Sequence, residues 1–429
     1  MTNIFFCGIG GIGMSALARY AAQTGHSVWG SDSTASLLLQ ELESEGIKVF
    51  LTQRPENIPE NCTEFIYSEA IPEDHPERLR ARELGIPQKS YFEKLGEISQ
   101  DFFTICIAGT HGKSGTTVMT GLALEAQGVD PTVFVGTKVF EWGKKNMRRG
   151  KSNILLVEAC EYCESFLYLE PDVIVLTSIE PDHLDYYQTS EKYFTGFQKF
   201  VAKLPAEGML VADFDLPEVQ NIAAKFTGKK VTTGEFLAQV PGLLLPGEHY
   251  RQNAARVLAL FSALELNLEI AQKSLAKYRG AWRRFEMKGE KNGITVIDDY
   301  GHHPTEIQAT LKTLCELYPD RKKWVIFQPH QYSRTADFLA EFAMSFSGVQ
   351  EILIPNIYRV RDTEADLERV SPEILVQEIA KNLASGERVR YTDGFEKTVE
   401  LLNAEAKSGD VILTLGAGPV HEVGEGFLT

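Results

Sequence analysis

Short apolar runs alternate along the chain with longer segments in which apolar residues recur every three or four positions. The runs have the length and unbroken apolar character of strands that are buried on both faces of a sheet. They lie at residues 4–7, 104–108, 154–158, 173–178, 294–298, 324–328, 351–355 and 411–415. Several end in glycine-rich or polar turns that open a helical segment, which is typical of parallel strand–helix units. The pattern predicts an α/β protein.

The length of the chain and two polar interruptions predict its domains. At roughly 150 residues per domain, a chain of 429 residues corresponds to two or three domains. A polar stretch at residues 97–101 precedes a fresh strand, and residues 280–285 precede a third group of strands. We therefore predict domains at residues 1–100, 101–282 and 283–429.

Composition and charge limit the kinds of molecule that this protein is expected to bind. With 43 basic and 59 acidic residues, the formal net charge is −16, which argues against nucleic acid as a partner. Local cations and helix N-termini can still bind an anionic small molecule. No cationic segment followed by an apolar run begins the chain, and no apolar stretch is long enough to span a bilayer. The six cysteines lie mostly in strand-like runs, so we expect a reducing, cytoplasmic location without membrane insertion.

A first glycine loop, G-x-G-x-x-G, follows the first predicted strand and opens a helix. The loop residues that we expect to approach a diphosphate are Gly10, Gly11, Ile12 and Gly13. Asp32 follows the second strand-like run and is a candidate for binding a ribose hydroxyl. The motif alone leaves three interpretations open: a dehydrogenase domain that binds NAD, a purely structural tight turn, and a site for a nucleotide diphosphate that is not a redox cofactor.

A second glycine loop follows the strand at residues 104–108 and also opens a helix. Gly112-Lys113-Ser114 is the core of a Walker A loop, in which backbone amides cradle phosphates, the lysine neutralises the transferring group and the hydroxyl binds Mg²⁺. Ile107 stands where the general pattern has glycine, which indicates a variant of the motif rather than the general form. A chance glycine turn is the alternative.

Two further residues are candidate Mg²⁺ ligands. Glu158 ends a fully apolar strand, where a carboxylate would lie beside the phosphate loop. His183 lies in an acidic loop after another strand. The alternatives are a solvated acid at a strand end and a hydrogen-bonded structural histidine.

Cys160 and Cys163 form a C-x-x-C pair, which raises the question of zinc or redox chemistry. A structural zinc site needs four ligands at matched spacings, and no second pair accompanies this one. Two buried or partly exposed thiols are the favoured interpretation.

Gly109-Thr110-His111-Gly112-Lys113 resembles the ATP-binding loop of the Mur ligases. Other motifs match the same family in order along essentially the whole chain. They are Glu158-Ala159, DHLDYY at residues 182–187, PGEH at 246–249, RRFE at 283–286, DDYGHHPTE at 298–306, FQPH at 327–330 and LGAG at 415–418. The resemblance implies three domains: a Rossmann-like N-terminal domain, a P-loop ATPase-like central parallel sheet and a Rossmann-like C-terminal domain.

The resemblance also implies an activity. The DDYGHHPTE run is similar to that of members that add L-alanine to UDP-N-acetylmuramate through an acyl phosphate, with ATP and Mg²⁺ as cofactors. Related members that attach a recycled tripeptide usually differ there. In this family the first glycine loop holds the UDP diphosphate, so NAD is not needed. The expected partners are the two substrates, with no nucleic acid, and the expected assembly is a monomer or homodimer. A paralogue without catalysis is a further alternative.

Roles for individual residues follow from the resemblance together with their chemistry. Arg334 is the best candidate for the alanine carboxylate, because a guanidinium can bind it with two parallel hydrogen bonds. The expected catalytic residues are Lys113, Glu158, His183, His302 and Arg334. The expected ATP site comprises Gly109, Thr110, His111, Gly112, Lys113, Ser114, Gly115, Thr116, Asn253, Arg284 and Asp298. The expected substrate site comprises Gly10, Gly11, Ile12, Gly13, Asp32, Tyr300, His302, His330 and Arg334, and the metal ligands are Ser114, Glu158 and His183.

Several positions depart from the family pattern or admit a structural interpretation. Asp299 and His303 also suit a turn at a strand end and a helix cap. Positions where the family usually carries another residue are Ser114, Gly115, Cys160, Cys163, Tyr250, Gln331 and Pro419.

Overall fold

A computed structural model describes residues 2–429, which divide into two compact units. The first unit contains the described residues up to Gly242 together with Gln252–Tyr278. The second unit contains Leu243–Arg251 and Arg279–Thr429. Three sheets organise these units, two in the first and one in the second.

The first sheet has five parallel strands in the order β3-β2-β1-β4-β5. Its core strand is apolar and fully buried, with Phe5 and Phe6 among the largest enclosed side chains. The strands are β1 (Asn3–Cys7), β2 (Ser27–Ser31), β3 (Lys48–Phe50), β4 (Glu64–Tyr67) and β5 (Gln88–Ser90), and the helices are α1 (Ile12–Gln23), α2 (Leu37–Ser44), α3 (Pro76–Glu83) and α4 (Tyr91–Ser99).

The second sheet has seven strands in the order β12-β11-β10-β6-β9-β7-β8, and only its edge strand β8 runs antiparallel to its neighbour. The strands are β6 (Phe103–Ala108), β7 (Thr132–Val139), β8 (Lys145–Arg148), β9 (Ile154–Glu158), β10 (Val173–Leu176), β11 (Met209–Ala212) and β12 (Lys229–Thr232). The helices are α5 (Lys113–Ala126), α6 (Leu184–Tyr187), α7 (Ser190–Val201), α8 (Pro217–Ile222), α9 (Glu248–Ala263) and α10 (Leu268–Leu275). Helix α9 begins in the second unit and continues in the first.

A buried cation joins the first two sheets. The Arg19 side chain on α1 has no exposed surface and pairs with Glu41 and Glu45. Its third contact is a hydrogen bond of 2.6 Å to Asn146 Oδ1 on β8 of the second sheet. A buried charge must be paired and hydrogen-bonded to be tolerated, so this network helps to fix the two sheets as one unit.

The third sheet has six strands in the order β13-β14-β18-β15-β16-β17, with β13 antiparallel to β14. The strands are β13 (Glu286–Lys291), β14 (Ile294–Asp299), β15 (Lys323–Phe327), β16 (Glu351–Ile354), β17 (Arg388–Tyr391) and β18 (Val411–Leu415). The helices are α11 (Pro304–Leu317), α12 (Tyr332–Asp337), α13 (Leu339–Ala343), α14 (Glu364–Leu367), α15 (Pro372–Ala380), α16 (Phe395–Glu405) and α17 (His421–Leu428). Trp324, Ile326 and Ile412 are fully enclosed in its core.

The α/β prediction is confirmed, and each of the eight apolar runs coincides with an observed strand to within two residues at either end. The expected fold of three α/β domains is also confirmed, because the chain contains three sheets that are mostly parallel. The predicted domain boundaries near residues 100 and 282 stay a prediction. Across residues 2–429, no helix combines the length and the apolar character needed to cross a bilayer.

Candidate active site

The phosphate loop connects β6, the middle strand of the second sheet, to helix α5. Gly112 caps this helix with a φ of +81°, a conformation that favours glycine. A Cβ atom at Gly112 would lie only 2.6 Å from Asn253 Oδ1. Glycine is therefore required there both by the backbone and by the close approach of Asn253.

Lys113 is folded over its own loop. Its Nζ donates to the carbonyls of Gly109 at 2.6 Å and Thr110 at 3.0 Å, and to the Glu161 carboxylate at 2.9 Å. Burial lowers the pKa of Lys113, but the charge of Glu161 outweighs it, and the pKa ends above its ordinary value. Lys113 therefore stays a cation at the mouth of the loop.

Glu161 is a site residue that the sequence analysis missed. Its side chain is 1% exposed, and it contacts both Lys113 and His183, whose Nε2 lies 3.6 Å from Glu161 Oε1. Tyr187 Oη donates to the backbone carbonyl of Glu161 at 2.5 Å. Burial alone raises the pKa of this carboxyl, yet Lys113 and His183 hold it below its ordinary value. Its position three residues beyond Glu158 was the only available signal.

Glu158 ends β9, the strand next to β6, and contacts the start of helix α5. Ser114 Oγ donates to Glu158 Oε1 at 2.9 Å, and the Gly136 amide donates to Glu158 Oε2 at 2.7 Å. A hydroxyl and a carboxylate beside a phosphate loop are the hard oxygen ligands that Mg²⁺ prefers. These residues therefore fit the predicted metal site.

His183 precedes α6 with a positive φ of 55°, which is uncommon for a residue with a side chain. Its ring packs against Tyr162 with centroids 4.9 Å apart, and its amide donates to Asp182 at 2.7 Å. The Nδ1 atom is buried without a hydrogen-bond partner among the described residues. A buried ring nitrogen without a partner is available to a ligand, so His183 fits the role of a metal ligand.

The rest of the loop is anchored to the carboxyl end of β10. Thr110 N donates to Ser178 O at 2.7 Å, and Thr110 Oγ1 donates to Glu180 O at 2.8 Å. His111 N donates to Ser178 Oγ at 2.9 Å, while its ring pairs with Glu180 at the same distance. These contacts fix the loop without using Lys113.

Asn253 is held against the loop by a buried arginine. Arg256 donates to Asn253 Oδ1 at 3.0 Å, and burial lowers the pKa of Arg256 to about 10, although Asp213 opposes this. A Cβ at Gly115 would lie 3.1 Å from Asn253 Nδ2, so a larger residue there would crowd this amide. Thr116 lies one residue further along α5, fully buried. The glycine at 115 therefore accommodates Asn253.

The first glycine loop is hydrogen-bonded to the carboxylate of Asp32. Gly10 N donates to Asp32 Oδ2 at 2.9 Å, and Asp32 Oδ1 accepts from the amide of Thr34. Gly11 caps helix α1, which begins at Ile12, and a Cβ on Gly13 would lie 2.8 Å from the Tyr91 ring. Asp32 thus shapes the loop in this structure, and its contact with a ribose stays a prediction.

The second unit places Asp298 and Asp299 at the end of β14, but in structural surroundings. Arg283 and Thr414 donate to the two oxygens of Asp298, which has no exposed surface, at 2.8 and 2.6 Å. Asp299 accepts from the amides of Phe285 and Gly301 at 2.8 and 2.9 Å. Burial raises the pKa of Asp299 to about 6, although nearby Arg284 opposes the rise. Asp299 therefore occupies the turn that its alternative interpretation suggested, and a nucleotide role for Asp298 stays a prediction.

Aromatic side chains line the carboxyl edge of the third sheet. Tyr300 and His302 have ring centroids 5.5 Å apart, and His302 lies 5.8 Å from His330. The Arg284 guanidinium lies 5.1 Å from the Tyr300 ring centroid. Three of the predicted substrate residues are thus neighbours within one unit.

Two other residues of this edge have contrasting placements. Arg334, on α12, is 7% exposed. His303 caps helix α11: its ring accepts from Thr305 N, and the Glu306 carboxylate accepts from the amide of His303. The helix-cap interpretation of His303 is therefore confirmed.

Cys160 and Cys163 flank Glu161, and neither forms a disulfide bond within residues 2–429. Burial, followed by the charge of Glu161, raises the pKa of Cys160 to about 12, whereas Cys163 is exposed. Cys163 has a positive φ of 54°. The partly exposed Cys160 agrees with the expectation of buried or partly exposed thiols, whereas Cys163 is more exposed than expected.

Three family models match this chain, in the order of its sheets. The Mur ligase family catalytic domain matches residues 3–103, the Mur ligase middle domain matches residues 107–239, and the Mur ligase glutamate ligase domain matches residues 283–418. The fold and the site define an α/β ligase with a phosphate loop, and the chain belongs to the Mur ligase family.

Individual relatives agree with this assignment. The chain is 36% identical, over 99% of its length and 97% of the relative, to a UDP-N-acetylmuramate–L-alanine ligase of Caldanaerobacter subterraneus subsp. tengcongensis. The structure of a UDP-N-acetylmuramate–alanine ligase from Thermotoga maritima has a TM-score of 0.81 at 24% identity, covering 100% of this chain and 98% of that one. A murein peptide ligase from Psychrobacter arcticus has a TM-score of 0.75 at 20% identity, with coverage of 100% and 98%. The two solved structures confirm the fold alone.

Proposed function

We propose that this chain joins L-alanine to the lactyl carboxylate of UDP-N-acetylmuramate, using ATP, in the synthesis of peptidoglycan precursors. The observation that carries the proposal is the arrangement around the phosphate loop: Lys113 contacts Glu161, Glu161 contacts His183, and Ser114 contacts Glu158. The choice of alanine rests on the full-length similarity to an enzyme of that name.

A carboxylate is a poor electrophile, so it must first be activated. In the proposed sequence, an oxygen of the lactyl carboxylate attacks the γ-phosphorus of ATP, and ADP leaves with the bridging oxygen. The alanine amine then attacks the carbonyl carbon of the acyl phosphate. The amine loses its extra proton, and inorganic phosphate leaves with the former carboxylate oxygen. Catalysis of the first step depends mainly on positioning and charge neutralisation.

Lys113 supplies one of those charges. An ammonium has three donors, and here they are used on Gly109, Thr110 and Glu161. When ATP binds, Lys113 exchanges at least one of these acceptors for a phosphate oxygen. Glu161 keeps the ammonium charged and close to the loop in the meantime.

Ser114 and Glu158 would hold one Mg²⁺, and His183 would hold a second. Bound Mg²⁺ neutralises the charge of the transferring phosphoryl group. The chain contributes the orientation of these ligands: Gly136 fixes the Glu158 carboxylate, and Tyr162 and Asp182 fix the imidazole. Asn253 lies at the base of the loop, positioned by Arg256, where its amide is proposed to contact adenine.

The amino acid is proposed to bind in the second unit. Arg334 is the cation for the alanine carboxylate, and Tyr300, His302 and His330 line the pocket. The low exposure of Arg334 supports this role, because a desolvated guanidinium binds a carboxylate more strongly than one in water.

The other functional classes have less support. A dehydrogenase would need neither Lys113 nor the Ser114–Glu158 pair. An inactive paralogue would have no reason to keep these five phosphate-transfer side chains in two contacting groups. The tripeptide-attaching ligase shares the fold, since a murein peptide ligase matches the whole chain. Amino-acid choice is therefore the property to test.

The test is release of phosphate from ATP in the presence of UDP-N-acetylmuramate and one acceptor at a time: L-alanine, glycine, L-serine, or a tripeptide that begins with L-alanine. We expect L-alanine to give the highest kcat/KM. Higher kcat/KM with the tripeptide would replace the proposal by its nearest alternative. Absence of release with every acceptor would favour the inactive paralogue.

Arg334 provides a sharper test of the amino-acid site. Loss of one partner of a desolvated charge pair costs about 2–5 kcal/mol, so Arg334→Ala should raise the KM for L-alanine well over tenfold. Arg334→Lys should restore binding only in part, because an ammonium lacks the planar fork. The KM for ATP should barely change. An equal effect on both substrates would indicate that Arg334 supports the fold instead.

A further inference from the structure

A cluster of metal-ligating side chains lies where the first glycine loop leaves strand β1. Cys7 is the last residue of β1, directly before Gly8, while His75 caps helix α3 and Glu77 lies in its first turn. One ligand atom from each of these three residues lies within 4.8 Å of the other two. Neither the proposed reaction nor the family motifs uses them.

The spacing of these atoms fits a zinc ion. Cys7 Sγ and His75 Nδ1 are 3.8 Å apart. With zinc–sulfur and zinc–nitrogen bonds of about 2.3 and 2.0 Å, a tetrahedral ion holds these two atoms about 3.5 Å apart. His75 Nδ1 now accepts the Glu77 amide at 3.3 Å, and on binding it would exchange this hydrogen bond for the ion. A small inward movement of the side chains is enough to enclose the ion.

A bound cation would also compensate the negative charge of the buried Glu77 carboxylate. Glu77 has no exposed surface, and among residues 2–429 no lysine, arginine or histidine forms an ion pair with it. Its two oxygens accept from the neutral groups Ser31 Oγ at 2.5 Å and Asn57 Nδ2 at 3.0 Å. A buried carboxylate without a cation is costly, and a bound divalent ion would remove that cost.

We propose that Cys7, His75 and Glu77 form a Zn²⁺ site in the N-terminal sheet, with water as a fourth ligand. A thiolate, an imidazole and a carboxylate are zinc ligands, whereas Mg²⁺ requires oxygen. On binding, the Cys7 thiol releases its proton to solvent. Ser31 and Asn57 orient the Glu77 carboxylate, as outer partners do in metal sites.

The site has a structural consequence for nucleotide binding. Zinc would tie the end of β1 to the start of α3, and Cys7 is the residue from which the glycine loop departs. A Cβ at Gly8 would lie 3.1 Å from Ser68 Cβ, so this loop packs closely on the segment that leads to α3. Zinc should therefore hold the loop in its phosphate-binding form and raise the temperature at which the chain unfolds.

The experiment uses the full chain, stripped of metal with a chelator and titrated with Co²⁺, which takes zinc sites and reports thiolate ligation by a charge-transfer absorption in the near ultraviolet. We expect one Co²⁺ per chain to produce this absorption, and Zn²⁺ to displace it. Cys7→Ser should abolish the absorption. Glu77→Gln and His75→Asn should weaken binding at least tenfold, and asparagine keeps a residue type suited to the helix cap.

Two controls distinguish this site from the other thiols. Cys62→Ser, at a buried cysteine that bonds the Glu64 carbonyl, should leave the absorption unchanged. So should the double variant Cys160→Ser, Cys163→Ser. If Cys7→Ser does not fold, His75→Asn decides the question, and unchanged Co²⁺ affinity in that variant overturns the proposal. It is equally overturned if the wild type gives no thiolate absorption, or if only the double variant loses it.

Discussion

The first unit contains two glycine loops that follow similar strands and open similar helices, but different side chains contact them. Each loop follows the middle strand of its sheet and opens a helix, α1 in one case and α5 in the other. In the first loop a carboxylate, Asp32, accepts the Gly10 amide. In the second, Lys113 binds the loop carbonyls and a buried carboxylate, Glu161.

The difference separates binding a phosphate from transferring one. Backbone amides and a helix N-terminus suffice to hold a diphosphate. Transfer also needs a cation and a metal site at the moving phosphoryl group. The strand beside β6 supplies that site by ending in Glu158, whereas the strand beside β1 is followed by Asp32, which braces the loop. The neighbouring strand ends, more than the glycines, decide what each loop can do.

Removal of the Lys113 ammonium group should have the largest effect, and this effect should be on ATP turnover. Lys113→Ala should lower ATP turnover by about 10³-fold, because one charge that stabilises the transition state is lost. Binding of UDP-N-acetylmuramate, measured by calorimetry, should stay within a fewfold of wild type, since the first loop is unchanged. Lys199→Ala, at an exposed lysine paired with Glu164, is the matched control and should leave both quantities unaltered. Turnover within tenfold of wild type in Lys113→Ala would remove the proposed role.

Neutralising Glu161, the ion-pair partner of Lys113, should have the second largest effect. Glu161→Gln leaves a buried ammonium without its counter-charge, which costs on the order of 3 kcal/mol of unfolding free energy. Turnover should fall about 10–100-fold, since Lys113 is no longer held at the loop. Glu164→Gln, which breaks the exposed pair with Lys199, should cost less than about 1 kcal/mol. Equal losses in the two variants would mean that Glu161 has no special relation to the loop.

The stability difference between wild type and Glu161→Gln should depend on pH in a defined direction. Burial opposes ionisation of Glu161, but Lys113 and His183 keep its pKa below the ordinary 4.5. A lowered carboxyl pKa stabilises the fold above pH 4.5, and that contribution disappears as the pH falls through the folded value. Denaturant unfolding at several pH values should therefore show the two proteins converging below pH 4.5. A constant difference down to strongly acidic pH would contradict the charge pairing.

A larger side chain in the first glycine loop should have a smaller effect, limited to binding of the sugar nucleotide. A Cβ at Gly10 would lie 2.8 Å from Asp32 Oδ2, so Gly10→Val must displace the acid that braces the loop. The KM for UDP-N-acetylmuramate should rise about tenfold, while that for ATP stays nearly constant. Gly234→Val, whose nearest neighbour lies 3.9 Å away, is the control. Saturable binding of NAD to the wild type would instead indicate that the first loop binds a redox cofactor.

The strands and both loops could be predicted from the sequence because their causes are local. An unbroken apolar run such as residues 154–158 has few alternatives to a buried strand, and its terminal Glu158 then necessarily reaches the carboxyl edge of the sheet. The contact between Ser114 and Glu158 followed from strand adjacency alone. The helix cap at His303 could be anticipated for the same reason, since capping depends on residues three positions apart.

The features that sequence reasoning missed depend on distant packing. Glu161 acquires its role from Lys113, His183 and Tyr187, none of them a sequence neighbour. Zinc was considered at Cys160 and Cys163 because these cysteines are close in sequence. The cluster around Cys7 joins residues 68 positions apart, and only the fold brings them together. Similarly, the enclosure of Asp298 by Arg283 and Thr414 depends on distant residues and could not be foreseen, while its nucleotide role stays a prediction.

The central claim is that the second loop transfers a phosphoryl group to the carboxylate of a sugar nucleotide held by the first. It is tested most directly with UDP-N-acetylmuramate labelled with ¹⁸O in both oxygens of the lactyl carboxylate. After turnover with ATP and L-alanine, mass spectrometry of the released phosphate should find a single ¹⁸O atom, because the phosphate leaves with one carboxylate oxygen. Label in AMP would mean that activation proceeds through an adenylate. Unlabelled phosphate would mean that ATP is hydrolysed without activating the carboxylate, and either result would contradict the account.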